Sequence, residues 1–309
     1  MRTLAETAFN QIAIMFLIII VGVISYKMKL IDKEVNKKIS DLVLMLVNPI
    51  VIFISYQREF NSELLKGLLI SLVLAVATHM FSVIVSMVLV RKGKSKEDNA
   101  IERFAVVYSN CGYIGIPLVN GILGSEGVFY LTAYITIFNL VLWTHGVILM
   151  TDKKDVKSIT KAFLSPAVIA TFVGFLFFVA KISIPGAMLD SLTYIGNMNT
   201  PLPMLVAGAT IAQTDLRKLV TKLRIYYITF LKLIFIPLVM LLVFQFFPLP
   251  KVVLLTSVLA AACPTAVTIN LFSIRYEKNY FYASELFTAI TVLSIVTIPF
   301  VMAIAGLLY

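Results

Sequence analysis

The sequence has little charge and few of the side chains on which most enzymes and metal sites depend. Only 14% of its 309 residues are charged, and it contains two histidines, two cysteines and one tryptophan. Soluble domains carry about 25% charged and about 45–50% apolar residues, whereas this chain is 60% apolar. The composition excludes a soluble enzyme, a disordered protein and a nucleic-acid-binding module. It predicts an all-α integral membrane protein with several spans.

The scarcity of histidine and cysteine also argues against catalysis. Cys111 and Cys263 lie in separate apolar stretches, without the spacing of a disulfide framework or a metal site. The chain has no Gly-x-Ser-x-Gly motif, no His-Glu-x-x-His motif and no P-loop. We therefore expect no enzymatic activity, no cofactor and no metal. A channel, a receptor or an integral-membrane enzyme of the same topology stays open as an alternative to a transporter.

Long apolar runs are what the chain does contain. About 20 mainly apolar residues cross a bilayer as a helix, and on this basis the runs predict ten membrane spans. These lie at roughly residues 8–28, 39–57, 66–90, 104–123, 128–150, 162–181, 188–212, 225–247, 252–273 and 281–308.

The net charge of +10 orients these spans. Most of the 26 lysines and arginines lie in the connections that follow spans 1, 3, 5, 7 and 9. Because basic residues collect in cytoplasmic loops, these five connections are predicted to be cytoplasmic. Both termini then lie outside a multi-pass protein of the plasma membrane. The positive charge gives no reason to expect a nucleic-acid partner.

A shift of 152 residues superposes the two halves of the chain. It places Pro49 on Pro201 in the second span of each half, and Cys111 on Cys263 in the fourth. The halves are predicted to be residues 1–151 and 152–309, each with five spans. Because five is odd, the second half enters the membrane from the opposite side. Such inverted repeats are typical of secondary transporters.

Spans 4 and 9 are predicted to break near the middle of the membrane. Span 4 combines an asparagine with two glycines and a proline, and span 9 combines a proline with two threonines and an asparagine. Each break creates a half-helix N-terminus, which attracts anions. Packing kinks are the alternative. The candidate substrate-binding residues are Ser109, Asn110, Gly112, Gly115, Pro117, Pro264, Thr265, Thr268 and Asn270.

Two further groups of residues are candidates for function. Spans 2 and 7 each carry a polar and proline-containing segment that predicts a hinge or a cavity wall, although packing explains it equally well; these residues are Asn48, Pro49, Pro201 and Pro203. Ionisable residues inside membrane spans are candidates for ion coupling or charge compensation. They are His79, Lys232 and Glu285; alternatively, Lys232 reaches the membrane interface and His79 bonds a neighbouring helix.

The interrupted segments carry a family resemblance that covers the whole chain. Asn110-Cys-Gly-Tyr-Ile-Gly-Ile-Pro117 resembles the fourth-helix signature of the auxin efflux carrier family. The run from Gly196 through Pro201 to Gly208 is similar to the seventh-helix pattern of that family. Pro264, followed by Arg275-Tyr276 and Ser284, is similar to its ninth and tenth helices.

The resemblance implies a fold and a function. It implies two inverted five-helix repeats in which broken helices 4 and 9 cross at the substrate site. Spans 1, 2, 6 and 7 would form a scaffold, and spans 3–5 and 8–10 a mobile transport part, assembled as a homodimer. Members of this family include plant auxin exporters and bacterial permeases proposed for malate and malonate. We therefore expect a secondary transporter of small organic anions that works by alternating access, with proton or sodium coupling left open.

Overall fold

A computed structural model describes residues 3–91, 95–151, 163–214 and 222–308. The described part of the chain is almost entirely helical and contains no β-strand apart from one isolated bridge. Its helices are α1 (Leu4–Lys27), α2 (Lys33–Ser55), α3 (Ser62–Leu89), α4 (Lys96–Val107), α5 (Cys111–Thr151), α6 (Pro166–Val179), α7 (Gly186–Gly196), α8 (Pro201–Ala212), α9 (Leu223–Phe244), α10 (Lys251–Ala262), α11 (Thr268–Arg275) and α12 (Tyr280–Leu308).

Local sequence signals explain where the first helices begin. Thr3 and Glu6 form a capping box at the start of α1. The side chains of Asp32 and Asn61 accept hydrogen bonds from the first turns of α2 and α3. Such caps satisfy N–H groups that have no partner within the helix. Inside α5, Gly124 has a φ of 69°, a left-handed conformation that favours glycine and breaks the helix there.

The apolar helices confirm an integral membrane protein. By length and composition, six of the described helices are able to cross a bilayer: α1, α2, α3, α5, α9 and α12. Helices α6 and α10 are apolar but shorter. Helix lies within each of the ten predicted spans, although spans 4, 7 and 9 are each divided between two helices. The number of membrane crossings stays a prediction.

Two groups of helices pack around the centre of the molecule. Helix α1 packs along α8, and α2 packs against α6, α7 and α8. In the other group, α5 packs against α3 and α10, while α12 contacts α4, α9, α10 and α11. The groups meet where α1 contacts α5 and α12, and where α5 contacts α6. The start of α1 lies beside the end of α12, since a Cβ on Gly306 would be 3.7 Å from Leu4.

The contact between α1 and α8 depends on two glycines. A Cβ on Gly22 would lie 2.5 Å from the carbonyl oxygen of Leu205, and one on Gly208 would overlap the carbonyl oxygen of Ile19. Small residues let helix backbones approach closely, which is a common source of stability within membranes. These glycines therefore set the distance between the two helices.

We expect Gly208→Val to lower thermal stability in detergent. The added methyl groups meet backbone atoms that cannot rotate away, and overpacking of this kind costs about 1–3 kcal/mol or more. The measurement is the midpoint of thermal unfolding followed by fluorescence. Gly186→Ala is the matched control, because nothing lies within 4 Å of a Cβ at that position. Equal midpoints for the two variants would contradict this interpretation of the α1–α8 contact.

Candidate functional site at the crossing of two broken helices

Two interrupted helices cross at the centre of the molecule. Helix α4 ends at Val107 and α5 begins at Cys111, while α10 ends at Ala262 and α11 begins at Thr268. The extended residues of the two gaps form an antiparallel bridge that pairs Ser109 with Thr265. Backbone hydrogen bonds run on both sides of this pair.

The two backbone hydrogen bonds fix the crossing. The N–H of Asn110 donates to the carbonyl of Pro264 at 2.7 Å, and the N–H of Ala266 donates to the carbonyl of Tyr108 at 2.9 Å. Both bonds satisfy backbone groups that the interrupted helices leave free. In a membrane such groups must be paired inside the protein.

The sequence explains the break in the second half directly. Proline disfavours a helical conformation in the residue before it, and Cys263 accordingly has a ψ of 144°. Pro117 acts differently, because the break in the first half lies at residues 108–110. Pro117 instead follows a wide π-helical turn at Cys111–Gly115, and its carbonyl accepts a hydrogen bond from Gln11 Nε2 at 3.1 Å.

A cavity of about 130 Å³ lies beside the crossing, and we call it the crossing cavity. The starts of α5 and α11 both line it, so the two half-helix N-termini border one space. Its polar side chains include amides and hydroxyls, and no charged side chain of the described residues lines it. The lining residues are Leu44, Met45, Asn48, Ile52, Ser109, Asn110, Gly112, Tyr113, Ile135, Phe138, Asn139, Leu142, Trp143, Ser165, Pro166, Ala167, Ala266, Val267 and Thr268.

The structure divides the sequence-predicted binding residues into two sets. Ser109, Asn110, Gly112 and Thr268 line the crossing cavity, as does Asn48 from the proposed hinge. The others lie around the crossing without lining that cavity; they are Gly115, Pro117, Pro264, Thr265 and Asn270.

Some of the residues outside the cavity still surround the crossing. A Cβ on Gly115 would lie 3.4 Å from Cys263 Sγ, so this glycine permits close packing of the two halves. Thr265 is fully buried in the bridge, and its hydroxyl has no hydrogen-bond partner among the described residues. Both polar atoms of the Asn270 amide are likewise buried without a partner in the described chain.

A pair of amides connects the proline-containing segments of α2 and α8. Asn199 Nδ2 donates to Asn48 Oδ1, just before Pro201 begins α8. Asn48 lines the crossing cavity, whereas Asn199 lines a second cavity of about 670 Å³. Pro117 and Arg58 also line this second cavity. The amide pair therefore stands between the two cavities.

Lys232 lies behind the crossing and is only 1% exposed. Its ammonium donates to Ser109 Oγ at 2.5 Å. The alternative in which Lys232 reaches the membrane interface is therefore wrong for this structure. Because the surrounding helices exclude water from the ammonium, the Ser109 hydroxyl of the crossing is its hydrogen-bond partner.

His79 and Glu285 occupy different surroundings. His79 is buried on α3, with Nδ1 2.8 Å from the carbonyl oxygen of Ala75 and its ring 4.8 Å from that of Tyr134. Its Nε2 has no hydrogen-bond partner among the described residues. Glu285 lies in a separate cavity that Glu102 and other residues line, and it accepts from Lys222 Nζ at 2.5 Å.

Sequence reasoning missed one face of the crossing cavity. Asn139 and the aromatic residues Phe138 and Trp143 line it from α5, in a span that had no break signal. Asn139 is the one amide residue of predicted span 5, and its Nδ2 donates to the carbonyl of Ile135 at 2.8 Å. That isolated amide was the one available signal, whereas the aromatic residues look like any others in the span.

The fold and the comparisons define the class of the protein. The chain is a multi-helix membrane protein, and the family model described as "Membrane transport protein" matches residues 7–159 and 155–302. Together these matches extend across nearly the whole chain in two repeats. The chain belongs to this family, the auxin efflux carrier family, which is a family of transporters and not of enzymes. A search of curated proteins finds no match.

A disulfide introduced across the bridge tests the crossing. We expect Ser109→Cys with Thr265→Cys to cross-link under mild oxidation, in a chain in which Cys111 and Cys263 are alanine. Opposed residues in such an antiparallel pair have Cα atoms about 4.5 Å apart, which suits a disulfide. Mass spectrometry of peptides before and after reduction detects the bond. Ser109→Cys with Ser191→Cys, which is on the exposed face of α7, is the control; equal yields from both pairs would argue against the crossing.

Proposed function

We propose that the protein is a secondary transporter of small carboxylates, with the substrate bound in the crossing cavity. The observation that carries this proposal is that two half-helix N-termini border one cavity that has no charged side chain among its described lining residues. A binding site for an anion needs positive potential, and here the helix ends and the amides supply it.

The electrostatics of the site favour an anion. The first turn of a helix has N–H groups without intrahelical partners, and its end carries roughly +0.5 elementary charge. The starts of α5 and α11 both bring such groups to the cavity. The amides of Asn48, Asn110 and Asn139 add neutral donors. A carboxylate would therefore meet donors from several elements without a salt bridge.

The rest of the cavity indicates the kind of carboxylate. Ile52, Ile135, Phe138, Leu142 and Trp143 form apolar walls. A second carboxylate would be buried against these walls without a cation, which is strongly unfavourable. The site thus fits a small monocarboxylate with an apolar body better than the dicarboxylates malate and malonate that the family resemblance implies.

Alternating access explains the arrangement of the helices. The proposed architecture is ten spans in two inverted repeats, residues 1–151 and 152–309, and the two matched ranges of the family model support this division. Spans 1, 2, 6 and 7 would form the scaffold, and spans 3–5 and 8–10 would move. Cavities on two sides of the Asn48–Asn199 pair support an access route from each side of the membrane.

Contacts between connections support the same topology. The connection after α2 contacts both the break at Gly124 in α5 and the connection after α6. Arg58 Nη2 donates to the carbonyl of Ser125 at 3.0 Å, and Ile184 N donates to Gln57 Oε1 at 3.2 Å. The N-terminal parts of α4, α9 and α12 meet separately through Glu102, Arg224 and Tyr282. The basic residues near this second group of contacts favour the cytoplasmic side. In the proposed topology, both termini therefore lie on the outer side of the plasma membrane.

Coupling and assembly belong to the same proposal. Among the described residues, one ring nitrogen of His79 on α3 has no hydrogen-bond partner, which makes this histidine a candidate for proton coupling. Glu285 is paired with Lys222, and the pair would hold the inner ends of α9 and α12 together rather than bind the substrate. Sodium coupling stays open, and a homodimer rests on the family resemblance alone.

Transport of labelled acids into liposomes tests the proposal. We expect purified protein to exchange radiolabelled 2-oxoisovalerate, a monocarboxylate with an apolar body, at least tenfold better than malate or malonate. Runs with and without proton and sodium gradients determine the coupling. External substrate should accelerate efflux of internal label, since a carrier returns faster when loaded, whereas a channel shows no such acceleration. The absence of flux for every carboxylate in the panel would overturn the proposed function.

Replacement of Asn110 tests the location of the site. We expect Asn110→Ala to raise the half-saturating concentration of 2-oxoisovalerate about tenfold, because a hydrogen bond to a charged group contributes about 1.5–3 kcal/mol. Uptake over a range of concentrations measures this value. Asn10→Ala, on the exposed face of α1, is the control. Unchanged affinity in Asn110→Ala would place the binding site elsewhere.

A further inference from the structure

The structure holds a buried cation directly behind the crossing cavity. Lys232 lies on α9, is 1% exposed and donates to Ser109 Oγ at 2.5 Å. Ser109 pairs with Thr265 in the crossing and also lines the cavity. Lys232 does not line the cavity itself. One hydroxyl therefore separates the ammonium from the space where the anion is proposed to bind.

No acidic partner accompanies this lysine among the described residues. The ion pairs of the described chain join Lys38 to Glu34, Lys222 to Glu285 and Arg224 to Glu102, and none includes Lys232.

Among the described residues, the titratable groups that interact with Lys232 come from several elements, and none of them is a carboxylate. They are His79 on α3, Cys111 at the start of α5 and Cys263 at the end of α10. The ring of Tyr134 on α5 lies 4.8 Å from that of His79, at an interplanar angle of 46°. A charge buried in the interior of a membrane protein is costly without a partner, and such residues usually mark a site that handles charge.

We propose that Lys232 is the fixed counter-charge of the transported anion and acts through Ser109 rather than by contact. This inference rests on the proposed function, since it takes the crossing cavity as the anion site. A monocarboxylate in that cavity compensates the ammonium, and removal of the anion leaves the ammonium uncompensated. Lys232 is thus a positioning residue for charge and not part of the cavity wall.

The counter-charge has a consequence for the transport cycle. When α9 and the crossing move together as one unit with a bound monoanion, the charges of Lys232 and the anion cancel. The loaded unit then carries no net charge through the membrane. The empty unit returns with one positive charge. Because the membrane potential acts only on charge that moves, the potential should affect net transport, which includes the empty return. It should not affect exchange, in which only loaded units move.

Exchange and net efflux of radiolabelled 2-oxoisovalerate from liposomes test this inference. A potassium gradient with valinomycin sets the potential. For the wild-type protein we expect net efflux to change with the potential and exchange to stay constant. Exchange that depends on the potential in the wild-type protein would overturn the inference, and this result requires no variant to fold.

Variants of Lys232 give the second arm of the test. We expect Lys232→Met to raise the half-saturating concentration at least tenfold and to make exchange depend on the potential. Lys232→Arg, which keeps the charge, should stay within a few-fold of the wild-type affinity with exchange still independent of the potential. A purely structural lysine would not produce this change in potential dependence.

The controls separate the possible failures. Lys66→Met removes an exposed lysine from α3 and should behave as the wild-type protein. Size-exclusion elution and thermal unfolding show which variants are folded. Wild-type affinity and constant exchange in a folded Lys232→Met variant would overturn this inference alone. A wild-type protein that moves no carboxylate of the panel would instead overturn the proposed function.

Discussion

The rest of the structure depends on two backbone hydrogen bonds at the crossing. They join Asn110 to Pro264 and Tyr108 to Ala266. A broken helix leaves polar backbone groups free at a depth where lipid cannot satisfy them. By pairing with each other, the two broken helices satisfy some of these backbone groups, and the surrounding helices bury the others. The starts of α5 and α11 then line a cavity, so the same break that threatens stability also creates the space in which we propose that the anion binds.

The crossing also determines where charge is tolerated. The positive ends of two half-helices meet at one place, and the ammonium of Lys232 lies behind them on the hydroxyl of Ser109. Positive potential is thereby concentrated at a cavity whose own described walls are neutral. A cation in the wall would bind an anion tightly and slow its release. In the proposed carrier, helix dipoles and a cation one residue away would select for a negative charge with weaker direct contact, which would allow the substrate to be released.

The sequence could predict the location of the site better than its details. Prolines and glycines among polar residues indicated both breaks, because only a cavity or a protein interior tolerates them within a membrane. Pro117 was nevertheless a poor guide to the break itself, which the bridge places at residues 108–110. Lys232 stood out as a charge in an apolar run, but its contact with Ser109 depends on how α9 packs. Such long-range contacts leave no local pattern to read, and the wall formed by α5 was indicated only by the single amide Asn139.

The amide pair between the two cavities bears on how the anion would pass from one cavity to the other. Asn48 lines the crossing cavity and Asn199 lines the second one, so their hydrogen bond marks the point at which the two spaces are separated. Both amides lie in spans 2 and 7 of the proposed scaffold, whereas Ser109 and Lys232 lie in the proposed mobile part. A displacement of the crossing past a stationary amide pair would carry the anion from one cavity to the other. The bridge and its lysine move as a unit in this scheme, so the hydrogen bond between Lys232 and Ser109 is kept during transport.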